Sequence, residues 1–311
     1  MEYLPCRHTC GARVRALGDR RKLQSVILSC RPVPALRQLI RYYYQVEIRL
    51  GGRTAVQPVP ARSPQAIEFT FGAPYEIRHL DRVSARKAYP IALIGAQTRR
   101  RVDLLMHGAI DAFTIVFQPG GVSAFFSVPA EELTNNDFDG DVVLGRGLGE
   151  LHRRLGDVSS FADRARIADA WLCTKRPAFD SVSGIANAAA KALSSSGCVR
   201  VSDLAHHAGL GIRQFERRFR HEIGIPPKLY ARIVRFEAAL GRKAAAPAMR
   251  WTDIAQTLGY HDQMHMVRDF NRLSGESPTT ICGQLDMFVK PEVASAGRAS
   301  ECFSAALSKR V

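Results

Sequence analysis

Basic and hydrogen-bonding side chains recur on two short amphipathic segments in the C-terminal third of the chain. In residues 212–220 (IRQFERRFR), Ile212, Phe215 and Phe219 fall on one side of a helix. Residues 263–270 (QMHMVRDF) repeat this plan. Guanidinium groups bind phosphate or guanine, and amides bind adenine, so these faces suit nucleic acid. The residues on the outward sides of the two segments, and so the candidates for contact with a nucleic acid, are Arg213, Gln214, Glu216, Arg217, Arg218, Gln263, Met264, His265 and Arg268.

The element that precedes each segment is a short helix followed by a glycine turn. In VSDLAHHAGL, Ser202 is expected to cap a helix that buries Leu204 and Ala205, and Gly209 is expected to end it. Gly211 is then expected to cap the first basic helix, less well than serine or threonine would.

The second unit has the same order of elements. Thr252 is the expected cap of its first helix, Gly259 the turn, and Asp262 the cap of the second basic helix. The inward positions are Ile254, Ala255 and Leu258, then Met266, Val267 and Phe270. Ala205 corresponds to Ala255 and Phe219 to Phe270, a nearly constant offset that indicates an internal duplication.

The motifs DLA, RQFERRF, DIAQTLGY, DQMHMVRDF and GESP, with the linker KLYARIVRFEAAL, resemble the DNA-binding domain of the AraC/XylS family of bacterial transcription regulators. The resemblance covers roughly a quarter of the chain. Gly211 replaces the usual serine or threonine, and Met266 the usual phenylalanine. The resemblance implies two recognition helices, held apart by a linker helix over residues 227–240, that enter successive major-groove segments of double-stranded DNA.

The family motif also assigns roles to single positions. It places Arg213, Glu216 and Arg217 of the first unit at base or nearby phosphate contacts, and likewise Gln263, Met264 and Arg268 of the second. Arg218, Arg220 and His265 fall on phosphates or in solvent. A plain helical bundle with solvated arginines is the alternative for both units. The matching glycine turns favour the DNA-binding interpretation.

Composition agrees with a polyanionic partner. The 311 residues carry a formal net charge of +15, and most basic proteins of this size bind a polyanion, of which nucleic acid is the common one. No apolar run is long enough to span a bilayer, and residues 1–10 lack the pattern of a signal peptide, so we expect a cytoplasmic protein without a membrane partner. Seven scattered cysteines do not suggest a disulfide framework.

Residues 26–135 have a sequence pattern typical of a β-rich domain. Alternating segments separated by proline, glycine and aspartate predict short strands in a closed sheet, with Gly51 and Gly52 ending one of them. Residues 116–135 (VFQPGGVSAFFSVPAEELTN) resemble the end of the cupin-like domain that precedes the DNA-binding domain in many AraC/XylS proteins. His79 and His107 are isolated, and Cys6, His8 and Cys10 lack a fourth ligand, so we expect no metal and no cofactor.

The predicted fold class is therefore α+β multidomain. Residues 1–25 form a flexible basic N-terminus, 26–135 a cupin-like β-barrel, 136–197 a helical connector, 198–285 the all-α domain of two helix-turn-helix units, and 286–311 a loose tail. Residues 137–149 are expected to begin the connector as an acidic, glycine-rich loop. The apolar stripes of the connector helices fit both core packing and dimerisation.

The sequence predicts a DNA-binding transcription regulator that is modulated through its N-terminal domain. It has no arrangement of residues typical of an enzyme. The expected partners are double-stranded DNA and a second copy of the chain, with RNA polymerase and a small-molecule effector as further candidates. The alternative is an N-terminal domain that only binds protein or dimerises and has no small-molecule effector.

Overall fold

The computed structural model describes residues 24–145, 147–175 and 183–285. The expectations for most of the basic N-terminus, for Cys6, His8 and Cys10, and for the tail at 286–311 lie outside these residues. Within them, no helix has both the length and the apolar character needed to cross a membrane.

The N-terminal domain is built on one antiparallel sheet whose main path runs β1-β2-β7-β3-β6-β8. β4 pairs with β7 and with β5. The strands are β1 (Gln24–Cys30), β2 (Ile40–Val59), β3 (Ala66–Thr70), β4 (Glu76–His79), β5 (Ala85–Lys87), β6 (Ile91–Ile94), β7 (Val102–Phe117) and β8 (Asp137–Asp139).

Two long strands, β2 and β7, replace several of the short strands expected from the sequence. Gly51 and Gly52 do not end β2, as the sequence suggested. Both have positive φ, and the register with β7 shifts between Arg49 and Thr54 before pairing resumes. Because both long strands pair on either side of this irregularity, the glycines bend the sheet instead of terminating a strand.

Helices of the N-terminal half cover one face of the sheet. The helices are α1 (Gly121–Phe126), α2 (Ala130–Leu133), α3 (Gly140–Leu144), α4 (Gly147–Gly156) and α5 (Phe161–Lys175). Leu151 of α4 and Leu172 of α5 pack in one buried cluster with Phe69 and Phe113 of the sheet. The apolar stripes of these two helices are therefore occupied by packing within the chain.

Two local expectations for this half are wrong. Residues 137–144 and 147–149 are not a loop, since they form β8, α3 and the start of α4. Asp139 caps α3 by accepting from the Asp141 amide (3.1 Å), and Asp141 accepts from the Gly149 amide (2.7 Å), so the acidic residues order this stretch. The sequence after Pro34 also has a helical pattern that predicts a helix, but the structure forms only a single 3-10 turn there, Pro34–Leu36.

The C-terminal half is helical and packs around one long helix. Its helices are α6 (Gly184–Ser194), α7 (Val201–His207), α8 (Ile212–Ile223), α9 (Pro227–Ala245), α10 (Trp251–Thr257), α11 (Gln263–Ser274) and α12 (Pro278–Leu285). α9 is the linker helix and extends beyond the expected Leu240. Its Tyr230 contacts Phe219 of α8 (ring centroids 5.5 Å apart), and its Phe236 contacts Phe270 of α11 (4.7 Å).

The N-terminal domain holds each helix-turn-helix unit at a separate place. At the first, the Thr134 hydroxyl donates to the Gly224 carbonyl just after α8 (2.8 Å). At the second, the amides of Ala61 and Arg100 both donate to the Leu273 carbonyl in α11 (2.8 and 3.1 Å). The N-terminal domain therefore bridges the two units independently of α9.

Gly224 and Gly275 end α8 and α11 with the same left-handed backbone, at φ +98° and +74°. A Cβ at Gly224 would lie 2.7 Å from the Ala130 carbonyl oxygen, whereas a Cβ at Gly275 would meet nothing within 4 Å. We expect Gly275→Ala to carry only the left-handed backbone penalty, roughly 1–2 kcal/mol. Gly224→Ala should lower the thermal unfolding midpoint further, because it also separates the two domains. Equal midpoints would contradict this close contact.

Candidate nucleic-acid interface

The first helix of each helix-turn-helix unit starts two residues earlier than expected. The N-cap residues of α7 and α10 are Arg200 and Arg250, and neither side chain makes a capping hydrogen bond. Ser202 and Thr252 are therefore not caps. They lie inside the first turn, where the hydroxyls contact Asp203 (3.3 Å) and Asp253 (3.4 Å). These carboxylates stand near the positive end of each helix dipole, which favours this start without a hydroxyl cap.

The glycine turns and the caps of both basic helices are confirmed. Gly209 and Gly259 have φ of +66° and +64°, the left-handed conformation that glycine adopts readily. Gly211 is the N-cap residue of α8. Asp262 caps α11 by accepting from the His265 amide (2.6 Å).

The first basic helix, α8, buries one side and exposes the other. Phe215 and Phe219 are buried, as expected. Ile212 was expected to point inward but is 53% exposed, because it lies in the first turn, at the edge of the core. The five candidate contacts on this helix are all exposed: Arg213, Gln214, Glu216, Arg217 and Arg218.

The second basic helix, α11, has a similar division. Met266 and Phe270 are buried, and the candidate contacts Gln263, Met264 and Arg268 are exposed. His265 differs from the other candidates. It is half-buried, and its ring makes an edge contact with Tyr260 at 5.5 Å between centroids.

Both helices have an arginine at the equivalent position. Each has 12 residues, and position six is Arg217 in α8 and Arg268 in α11. The Arg268 Nε donates to the Met264 carbonyl (3.3 Å). Arg218, by contrast, is paired with Glu222 of its own helix (3.1 Å), which directs it along the helix surface.

An ion pair that the sequence analysis missed joins α11 to α9. Arg232 of α9 contacts Asp269 at 2.7 Å, and Asp269 is only 3% exposed. Buried carboxylates need such a partner. The sequence signal that could have indicated this ion pair is the acidic residue directly before Phe270, on the inward side of α11. The equivalent position in α8 is Arg218, which is exposed.

Comparisons with known proteins agree with this geometry. Residues 204–282 match the family described as a helix-turn-helix domain, and residues 28–139 match a domain of unknown function (DUF6597). No curated protein matches the sequence.

Several solved structures are similar to this chain at low sequence identity. ToxT from Vibrio cholerae O395 is 9% identical, covering 86% of this chain and 99% of that chain, with a TM-score of 0.44. ToxT bound to (E)-4-(8-methylnaphthalen-1-yl)but-3-enoic acid is 9% identical, covering 85% and 100%, with a TM-score of 0.47. The AraC-like transcriptional activator CuxR is 9% identical, covering 93% and 90%, with a TM-score of 0.27.

Two capped basic helices on glycine turns, with their apolar sides packed on a shared helix, define a tandem helix-turn-helix protein. The C-terminal domain is an AraC-type helix-turn-helix domain. Helix-turn-helix domains bind DNA, so the C-terminal domain is the DNA-binding part of the chain.

The cap of α11 provides a test of how this helix is positioned. The pKa of the Asp262 carboxyl lies below its ordinary value, because it accepts first from the His265 amide and then from the His261 ring. A lowered pKa means that the stabilisation is present above the ordinary pKa and is lost as the pH falls through the lowered one. We expect Asp262→Ala to lower the thermal midpoint at neutral pH, and this deficit to shrink in acid.

Asp262→Asn is the matched control, since asparagine caps helices about as well as aspartate. Its midpoint at neutral pH should stay near that of the unsubstituted protein. Calorimetry that finds Asp262→Ala equally stable at neutral pH would contradict the capping role.

Proposed function

We propose that the protein reads two successive major-groove segments on one side of the DNA duplex, one with α8 and one with α11. The observation that carries the proposal is the placement of Arg217 and Arg268. They occupy the same position on two exposed 12-residue helices that pack on one continuous helix. The N-terminal residues of recognition helices commonly contact base edges, and these arginines lie in the first two turns.

The linker helix α9 constrains the spacing of the two DNA-binding helices, which must be compared with the spacing of the grooves in DNA. Its 19 residues make it about 28 Å long. Successive major-groove segments on one face are roughly 34 Å apart. Two recognition helices held rigidly at a separation other than this repeat require the duplex to bend, at a free-energy cost of a few kcal/mol that depends on the DNA sequence.

The side chains suggest a division of roles within each interface. Arginine can bind guanine with two hydrogen bonds, glutamine can bind adenine, and glutamate can accept from cytosine. We assign base contacts to Arg213, Glu216 and Arg217 in the first unit and to Gln263, Met264 and Arg268 in the second. Gln214, Arg218 and His265 are assigned to the phosphate backbone.

Removal of either equivalent arginine should weaken operator binding without unfolding the protein. We expect Arg217→Ala and Arg268→Ala each to reduce affinity for an operator selected from random DNA by about 5- to 150-fold, since a bidentate contact contributes roughly 1–3 kcal/mol. A gel-shift titration at fixed salt measures the effect.

Arg153→Ala is the matched control for the lost charge. Arg153 is exposed on α4, where it pairs with Glu150 at 2.7 Å, and it does not belong to either basic helix. Its loss should leave affinity nearly unchanged. If Arg217→Ala and Arg268→Ala bind as tightly as Arg153→Ala, the assignment of these two arginines is wrong.

We also propose that the N-terminal domain modulates DNA binding through a small molecule held inside its bent sheet. A cavity of about 170 Å³ lies between β2, β7 and α9. Apolar side chains such as Val46 and Ile110 form much of its wall, and Phe236, Glu237 and Leu240 of α9 also line it. A ligand there would touch the helix that spaces the two DNA-binding units.

The same region of α9 is already held by the N-terminal domain. Glu237 accepts from the Ser63 amide (2.8 Å) and from the Ser63 hydroxyl (2.7 Å). A ligand that displaces the segment around Ser63 would therefore alter the attachment of the second unit as well. RNA polymerase and a second copy of the chain are further proposed partners, and no catalytic step is part of the proposal.

A cavity-filling variant tests the effector site. Ala112 is buried and lines the cavity from β7, so Ala112→Leu reduces the available space. In a thermal-shift survey of metabolites, we expect at least one compound to raise the midpoint of the unsubstituted protein by several degrees. The same compound should have little effect on Ala112→Leu, while DNA binding without the compound is retained. A survey in which no compound shifts the midpoint favours an N-terminal domain that binds only protein.

A further inference from the structure

The first turn of α11 exposes a large apolar side chain. Met264 is 60% exposed, whereas Met266, two residues further on, is buried in the core. Most large apolar side chains of the described residues are buried, so a methionine in solvent on this helix is unusual for the molecule. Single exposed apolar residues are common on protein surfaces, so the position of Met264 on α11 matters more than its exposure alone.

Met264 lies on the side of α11 that carries Arg268. Residues four apart on a helix are neighbours, and the Arg268 Nε donates to the Met264 carbonyl at 3.3 Å. The guanidinium group is thus held against the turn from which the methionine projects. The two side chains form one continuous patch, with a cation and an apolar surface side by side.

The equivalent position in the first unit has different chemistry. Met264 is the second residue of α11, and the second residue of α8 is Arg213. The sixth residue is arginine in both helices. The two helices therefore share one polar contact group and differ at the adjacent position, where one is cationic and the other apolar.

In the major groove, one group offers an apolar target beside hydrogen-bonding base edges, and this group is the C5-methyl of thymine. We propose that Met264 is a specificity-determining residue that contacts the methyl group of a thymine next to the base bound by Arg268. This inference rests on the proposed reading of DNA by α11. Its consequence is that the half-site of the second unit prefers a thymine, while the half-site of the first unit has no such preference at the matching position.

Deoxyuridine provides the probe, because it differs from thymidine only by lacking this methyl group. An operator is first selected from random DNA with the full chain. Each thymidine of the second half-site is then replaced by deoxyuridine, one at a time, and affinity is measured by gel shift. We expect one replacement to weaken binding about fourfold, the loss that corresponds to one buried methyl group.

Substitutions identify the side chain responsible. Met264→Ala should bind the thymidine and deoxyuridine operators equally well. Ile212→Ala is the matched control. Ile212 is also an exposed apolar residue (53% exposed) in the first turn of a basic helix, but that helix is α8 of the first unit, which is not expected to contact the thymine. This variant should keep the fourfold ratio of the unsubstituted protein.

Two results would overturn the inference. One is equal affinity of the unsubstituted protein for every deoxyuridine operator, and the other is a fourfold ratio that persists in Met264→Ala. In both cases the protein still binds its operator, so the proposed function survives. If the full chain selects no operator at all, the proposed function fails together with this inference.

Discussion

Packing of both helix-turn-helix units against α9 is the constraint on which the rest of the structure depends. Tyr230 near one end of this helix contacts Phe219, and Phe236 further along contacts Phe270, so each basic helix rests on an aromatic pair. The ion pair between Arg232 and Asp269 adds a directional contact to the second unit. Since α9 is continuous between these contacts, the exposed faces of α8 and α11 keep a fixed separation.

The N-terminal domain also contacts both helix-turn-helix units, in addition to the contacts that α9 makes with them. It is hydrogen-bonded to the end of α8 through Thr134 and to α11 through the Leu273 carbonyl, and its cavity reaches α9 itself. The proposed regulation of DNA binding therefore needs no distant pathway. Under this proposal, any change in the bent sheet that moves one of these attachments would change how the two basic helices face the duplex.

The C-terminal domain could be predicted in detail because its signals are local. Gly209 and Gly259 must adopt positive φ, Asp262 can reach its own helix, and the phenylalanine spacing fixes the buried side. The expected caps Ser202 and Thr252 were wrong, since acidic residues in the first turn permit the helices to start earlier. The N-terminal domain was harder, because whether Gly51 and Gly52 end a strand or bend it depends on pairing with β7, which is distant in sequence. Asp269 was missed for the same reason, as its partner lies on another helix.

The most direct test of a fixed separation is operator spacing. Insertion of about half a helical turn, ~5 base pairs, between the two half-sites of a selected operator rotates one of them to the opposite side of the duplex. A rigid pair of recognition helices should then bind with no more than the affinity of a single half-site. Affinity that is unchanged by this insertion would show that the two units move independently, and would contradict the central role of α9.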